Sequence, residues 1–126
     1  MSASLPITEM LPRIVAAVRQ HSTRFIIIDS AALASGGDPG ESSESLAFFS
    51  AVRQLTDEEG CTVLVLAHVT KATRNENKTA EKAGGDHSRQ AYGSVFWDTS
   101  ARSSFFVRAD TIAADHYSVI FRNRKQ

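Results

Sequence analysis

At 126 residues the chain is long enough for one domain with a real core and short for two lobes. A 42% hydrophobic and 22% charged content is that of a soluble globular protein, and a net charge of zero argues against a dedicated duplex-DNA binder. No apolar run nears the ~18 residues of a membrane span, residues 1–13 lack the basic start and apolar centre of a signal peptide, and the lone Cys61 excludes an internal disulfide and fits a reducing cytoplasm.

In chain order, residues 6–20, PITEMLPRIVAAVRQ, place Ile7, Met10, Leu11, Ile14, Val15 and Val18 at helical spacing. Pro12 interrupts that pattern, and a helix start at Pro12 is the alternative, because proline is tolerated in a first turn. Phe25 to Ile28 is apolar at every position, which predicts a central parallel strand covered by helices on both sides. SGGDPGESS (35–43) reads as a loop. Leu46, Phe49, Val52 and Leu55 then mark an amphipathic helix running to about Glu59 and stopped by Gly60.

CTVLVLAH (61–68) is a second apolar strand, and a strand–helix–strand unit of this length implies a right-handed crossover and a parallel pair. Residues 70–90, TKATRNENKTAEKAGGDHSRQ, have almost nothing to bury and predict a long mobile loop. Gly93-Ser94 opens a helix expected to run through Arg102. SFFVR (104–108) and YSVIFR (117–122) read as strands, and the short ADTIAADH between them makes an antiparallel hairpin at the sheet's end. Phe96, Trp97, Phe105 and Phe106 cluster at the helix–strand junction, where core packing is the favoured reading and base stacking the minority one.

Charge is unevenly spread. Residues 1–70 hold four basic and eight acidic side chains, a balance of −4, and residues 101–126 hold five and two, a balance of +3. This polarity suits head-to-tail assembly or a nucleic-acid track along the basic half, and chance alone also produces such splits. The candidates for contact with single-stranded nucleic acid are Lys71, Arg74, Lys78, Lys82 and Arg89.

In an open parallel sheet, ligands bind at the carboxyl ends of the strands. Asp29 and His68 each directly follow an apolar strand, so two adjacent strands offer an acid and an imidazole on one rim. Taken singly, Asp29 also fits a turn or helix-capping role, and His68 a satisfied structural histidine. Together, with the hydroxyls of Ser30 and Thr70 and the amine of Lys71, they point to a site.

RFIIIDSAALASGGDPGESSESLAFFSAVRQL followed by GCTVLVLAHVTKA resembles the second half of a RecA-like ATPase core of the hexameric replicative-helicase type, that of DnaB and RepA proteins. The resemblance implies that Asp29 is the Walker B carboxylate, holding the water shell of a nucleotide's magnesium, with Ser30 and Lys71 beside the nucleotide. It implies that His68 is the polar sensor of the terminal phosphate. AYGSVFWDTSAR is similar to the family's Gly-Ser stretch and following helix, with Gly93, Ser94 and Arg102 in matching places. VIFRNRKQ looks like the last strand, whose basic pair, here Arg122 and Arg124, reaches a neighbouring subunit's phosphates. An acid, a sensor and an arginine fork are what triphosphate hydrolysis uses for positioning and charge neutralisation.

The phosphate-cradling pattern G-x-x-x-x-G-K-[ST] is missing, since none of the seven glycines is followed by lysine. The family's catalytic glutamate has no counterpart either, because Glu9 lies on the leading helix. No H-E-x-x-H pattern points to zinc, no G-x-S-x-G elbow points to a hydrolase, and Cys61 reads as an inert core thiol.

The expected fold is thus a single α/β domain: a truncated RecA-like core in three layers, with a mainly parallel sheet and a C-terminal antiparallel hairpin. The expected function is that of a truncated or degenerate helicase-type ATPase domain, not catalytic alone, binding Mg-ATP only if another chain completes it. The alternative is a non-catalytic binding or assembly module. Expected partners are further copies of the chain, single-stranded DNA or a P-loop-bearing chain, with no membrane and a cytoplasmic location.

Overall fold

The computed structural model describes residues 5–36, 42–68 and 99–125, with the backbone alone for Phe106, Arg108, Arg122, Arg124 and Lys125. Helix α1 spans Ile7–His21, with Pro6 at its N-cap and Pro12 inside it. The start therefore lies five residues before Pro12: the Pro6 carbonyl accepts from the N–H groups of Glu9 (3.1 Å) and Met10 (3.2 Å), which seeds the first turn. Proline at 12 costs only the bond to the Thr8 carbonyl, on an exposed part of the helix. The other end closes with Ser22 in the left-handed region and the Thr23 N–H donating to the Val18 carbonyl at 3.0 Å. Glu9 in the first turn and Arg19 and His21 in the last complement the helix dipole.

Strand β1 (Phe25–Asp29) leads through Ser30 into the short helix α2 (Ala31–Ser35). Gly36 follows with φ 78°, and its α-carbon lies against the Pro6 ring, which a β-carbon there would overlap. Helix α3 (Ser42–Arg53) passes into a π-helical turn at Gln54–Glu58, and Gly60 with φ 67° carries the chain out to β2 (Thr62–Leu66). The helix expected to reach Glu59 is α-helical only to Arg53. The wider last turn keeps Leu55 buried while Asp57 and Glu58 face water.

β1 and β2 pair in parallel, Phe25 opposite Thr62 through Asp29 opposite Leu66. Ile26, Ile28, Val63 and Val65 turn inward onto a core built on Phe48 and Leu55, both fully buried, with Ile7, Ala31, Phe49 and Ala51 around them. The rings of Phe48 and Phe49 meet edge to face, 5.3 Å apart. Of the expected helix stripe, Phe49 and Leu55 are buried and Val52 packs against the core, but Leu46 is exposed and Phe48 takes the centre. Cys61 is buried as expected, its thiol donating to the Thr23 carbonyl at 3.4 Å.

Two corrections concern the sheet. The other face of β1–β2 is bare, with Phe25, Ile27, Leu64 and Leu66 exposed, so this strand pair is covered by helices on one side only among the described residues. An apolar run gives no hint of which face its helices will choose. The second helical layer of the expected three-layer arrangement is not among the described residues. The second correction is that, among the described residues, β3 (Ser104–Ala113) and β4 (His116–Lys125) form a two-stranded antiparallel sheet of their own rather than the end of the parallel one. Both strands run further than their apolar stretches. They absorb most of ADTIAADH and leave Ala114 and Asp115 to turn, with Asp115 at φ 66°, a region aspartate tolerates. Phe105 is exposed on this hairpin, against the core role expected for it. Phe96 and Trp97 lie outside the described residues. Thr99 and Ser100 are helical, and the helix has ended before Arg102. The expected mobile loop at 70–90 also lies outside the described residues.

Candidate functional site

The parallel register sets Asp29 opposite Leu66, so the two strands reach their carboxyl ends together. His68 follows Leu66 by two residues and leaves from the same rim. Both are exposed, and among the described residues neither has a hydrogen-bond or ion-pair partner. Asp29 does not cap α2. The capping position belongs to Ser30, which is extended, 7% exposed and makes no side-chain capping bond, while its carbonyl accepts from the Ala34 N–H at 3.1 Å. The peptide between Asp29 and Ser30 is cis. The rim thus presents an exposed carboxylate, a covered hydroxyl and an exposed imidazole.

The other sequence candidates stand apart from this group or beyond description. Arg122 and Arg124 lie in β4, in the second sheet, with side chains outside the described residues. Lys71, Arg74, Lys78, Lys82 and Arg89 lie outside the described residues altogether, as do Gly93 and Ser94. Arg102 is placed: one of its terminal nitrogens sits 3.4 Å from Oδ1 of Asp57, on the π-helical turn. That contact is open to solvent at both ends, and such pairs contribute little.

Among the described residues no group of three or more His, Cys, Asp and Glu could hold a metal. Asp29 offers one carboxylate. That fits a magnesium ion brought in by a nucleotide, whose remaining ligands are phosphates and water, and does not fit an all-protein cage.

A polar contact with no signature in the sequence lies at the opposite end of the sheet, where the two strands begin. Arg19 Nε donates to Glu59 Oε2 at 3.0 Å and a second guanidinium nitrogen donates to Oε1 at 2.6 Å. The guanidinium bonds hold the Glu59 carboxyl below the usual carboxylate range, and the carboxylate holds Arg19 above the usual arginine range. The pair ties the last turn of α1 to the residues just before β2, which fixes where that strand begins.

A parallel strand pair backed by helices is compatible with a P-loop NTPase-like domain. The family model described as AAA domain matches residues 1–74, more than half of the chain, and the chain belongs to that family. The match takes in α1, both parallel strands, Asp29 and His68, and the hairpin lies beyond it. No curated protein and no solved structure matches the chain. Family membership gives the domain an ATPase-like ancestry. No helix among the described residues is long and apolar enough to cross a membrane.

Proposed function

We propose that this domain supplies the strand-rim half of a magnesium–nucleotide site and does not hydrolyse the nucleotide alone. What supports the reading is the β1–β2 register, which ends both strands on one rim, with Asp29 opposite Leu66 and His68 two residues further on, in an AAA-family domain. In this reading Asp29 holds the water shell of the nucleotide's magnesium, Ser30 and Lys71 lie beside it, and His68 senses the terminal phosphate. Arg122 and Arg124 act on a neighbouring subunit's nucleotide, and a P-loop-bearing chain completes the site. In this reading the domain resembles the corresponding half of the DnaB and RepA helicases, with Lys71, Arg74, Lys78, Lys82 and Arg89 proposed as the track for single-stranded DNA.

No residue pattern G-x-x-x-x-G-K-[ST] is present to wrap backbone amides around the phosphates, so binding by this chain alone is weak. The chemistry of the rim is charge placement rather than bond making. An exposed carboxylate orients magnesium-bound water, and an imidazole donates to a phosphate oxygen. Titration of the isotope-labelled chain with a non-hydrolysable ATP analogue tests this by NMR. Magnesium-dependent shifts centred on Asp29, Ser30 and His68 are expected, and they should vanish in Asp29→Asn. Shifts elsewhere, or shifts that survive Asp29→Asn, would overturn it.

A second reading, a non-catalytic assembly module, is favoured by the bare apolar faces of both sheets.

A further inference from the structure

Residues 101–126 hold five basic and two acidic side chains, and the hairpin sorts them by position. Arg102, Arg108, Arg122, Arg124 and Lys125 belong to its open half, where β3 begins and β4 finishes, and Asp110 and Asp115 to the half that turns. Phe106 stands opposite Arg122 and Arg108 opposite Ile120, and residues alternate between the faces of a strand, so these four positions fall on one face. The apolar Phe105, Val107, Val119 and Phe121 take the other. Arg108 and Arg122 are diagonal neighbours, a relation that sets their backbones about 7–8 Å apart. Asp110, opposite Ser118, comes one row nearer the turn, and Arg124 and Lys125 follow Arg122 where the register shifts between Ser104 and Phe105.

We infer that this arginine-bearing face of the hairpin binds single-stranded nucleic acid, with Arg108 and Arg122 on successive phosphates and Phe106 under a base. The face lies beyond residues 1–74, which the family model matches. It needs neither Asp29 nor magnesium, so the inference is independent of the nucleotide reading, although Arg122 figures in both. It also differs from the track at Lys71 to Arg89, which lies in another part of the chain.

Three features select this ligand. The strand rows of the open half, SFFVR and IFRNRK, collect like charge with no acid among them, and a chain of phosphates relieves the repulsion between such charges. All of these cations but the last are arginine, whose planar fork pairs with phosphate through two bonds and stacks on bases. An aromatic residue, Phe106, is set among them, and an aromatic face beside a cationic track is what holds unpaired bases; an acidic peptide has no use for it. A duplex keeps its bases stacked inside, and a net charge of zero gives the chain no general pull on it.

Fluorescence anisotropy of a labelled single-stranded thymidine oligonucleotide tests the inference on the full chain, without magnesium or nucleotide, across ~0.05–0.2 M salt. Binding that weakens with salt is expected. Arg108→Gln should weaken it roughly three- to tenfold and make the log–log salt slope shallower by about 0.7, the share of one phosphate on a single strand. Phe106→Leu keeps apolar bulk but removes the ring, so it should weaken binding roughly fivefold with the slope unchanged, and Phe106→Trp should restore it. A merely structural role would not separate affinity from slope in this way. Circular dichroism checks that the variants fold; Arg108→Lys replaces Arg108→Gln if it does not, and should weaken binding while keeping the slope. No binding by the wild type, or an unchanged affinity in the Arg108 variants, would overturn the inference. Losses in Lys78→Gln and Lys82→Gln with none in Arg108→Gln would overturn it in favour of the other track, and equal competition by the matching duplex would overturn the single-strand assignment.

Discussion

Arg19 and Glu59 meet across forty residues through two hydrogen bonds, and the partners are unequally covered: 69% of the arginine side chain is exposed but only 7% of the glutamate's. A carboxylate lying in protein and held by a guanidinium in water makes stability depend on acid. Glu59 titrates below its ordinary value of 4.5, so the pair's contribution is present above pH 4.5 and lost as pH falls below it, through the folded value. Arg19 is raised, so its contribution is complete throughout the neutral and acidic range. Thermal unfolding followed from pH 7 to pH 3 should show a steeper decline in the wild type than in Glu59→Gln. The difference should shrink in high salt, since the arginine is open to solvent. Equal acid sensitivity in both proteins would mean that the pair does not report on folding.

Gly36→Ala is expected to destabilise the chain by ~1–3 kcal/mol. A β-carbon there would overlap the Pro6 ring, and φ 78° is a conformation that alanine rarely adopts. Urea denaturation measures it. An unchanged midpoint would place Gly36 away from the start of α1 in solution.

Phe48 and Leu46, two positions apart on α3, should respond oppositely to truncation. Phe48→Ala empties the centre of the core and is expected to cost ~3–5 kcal/mol, a large share of a small domain's stability. Leu46→Ala removes an exposed side chain and should stay within ~0.5 kcal/mol. Parallel denaturation curves of the two variants decide it, and a comparable loss in both would relocate the buried face of α3.

Phosphate release by the purified chain should sit at background with Mg-ATP, with or without single-stranded DNA. Phosphoryl transfer depends on positioned positive charge around the phosphates, and no lysine follows any glycine of the sequence to begin such a cradle. Turnover well above background that disappears in Asp29→Ala would reverse this conclusion.

Both parallel strands were legible because a run such as FIIID or TVLVL admits few other placements, and a helical connection between two such strands favours a parallel crossover. That the two strands end on one rim followed from that pairing alone. What lay outside local pattern was not legible. Phe25 and Ile27 differ from Ile26 and Ile28 only in which side the helices took, and no periodicity marks a choice made by packing. The shift from Leu46 to Phe48 has the same origin, since SLAFFSAV offers more apolar positions than one face can use. Arg19 and Glu59 could not be paired by inspection, because nothing in either segment refers to the other.

The sequence by itself determined the strands, their parallel sense and which residues follow them, since these depend on residue type and on neighbours within a turn or two. Only the tertiary structure decided which sheet face is covered, which aromatic ring fills the core, and that the hairpin forms a sheet of its own. Those outcomes depend on the fit between surfaces distant in the chain, where one apolar side chain serves about as well as another until the shapes meet.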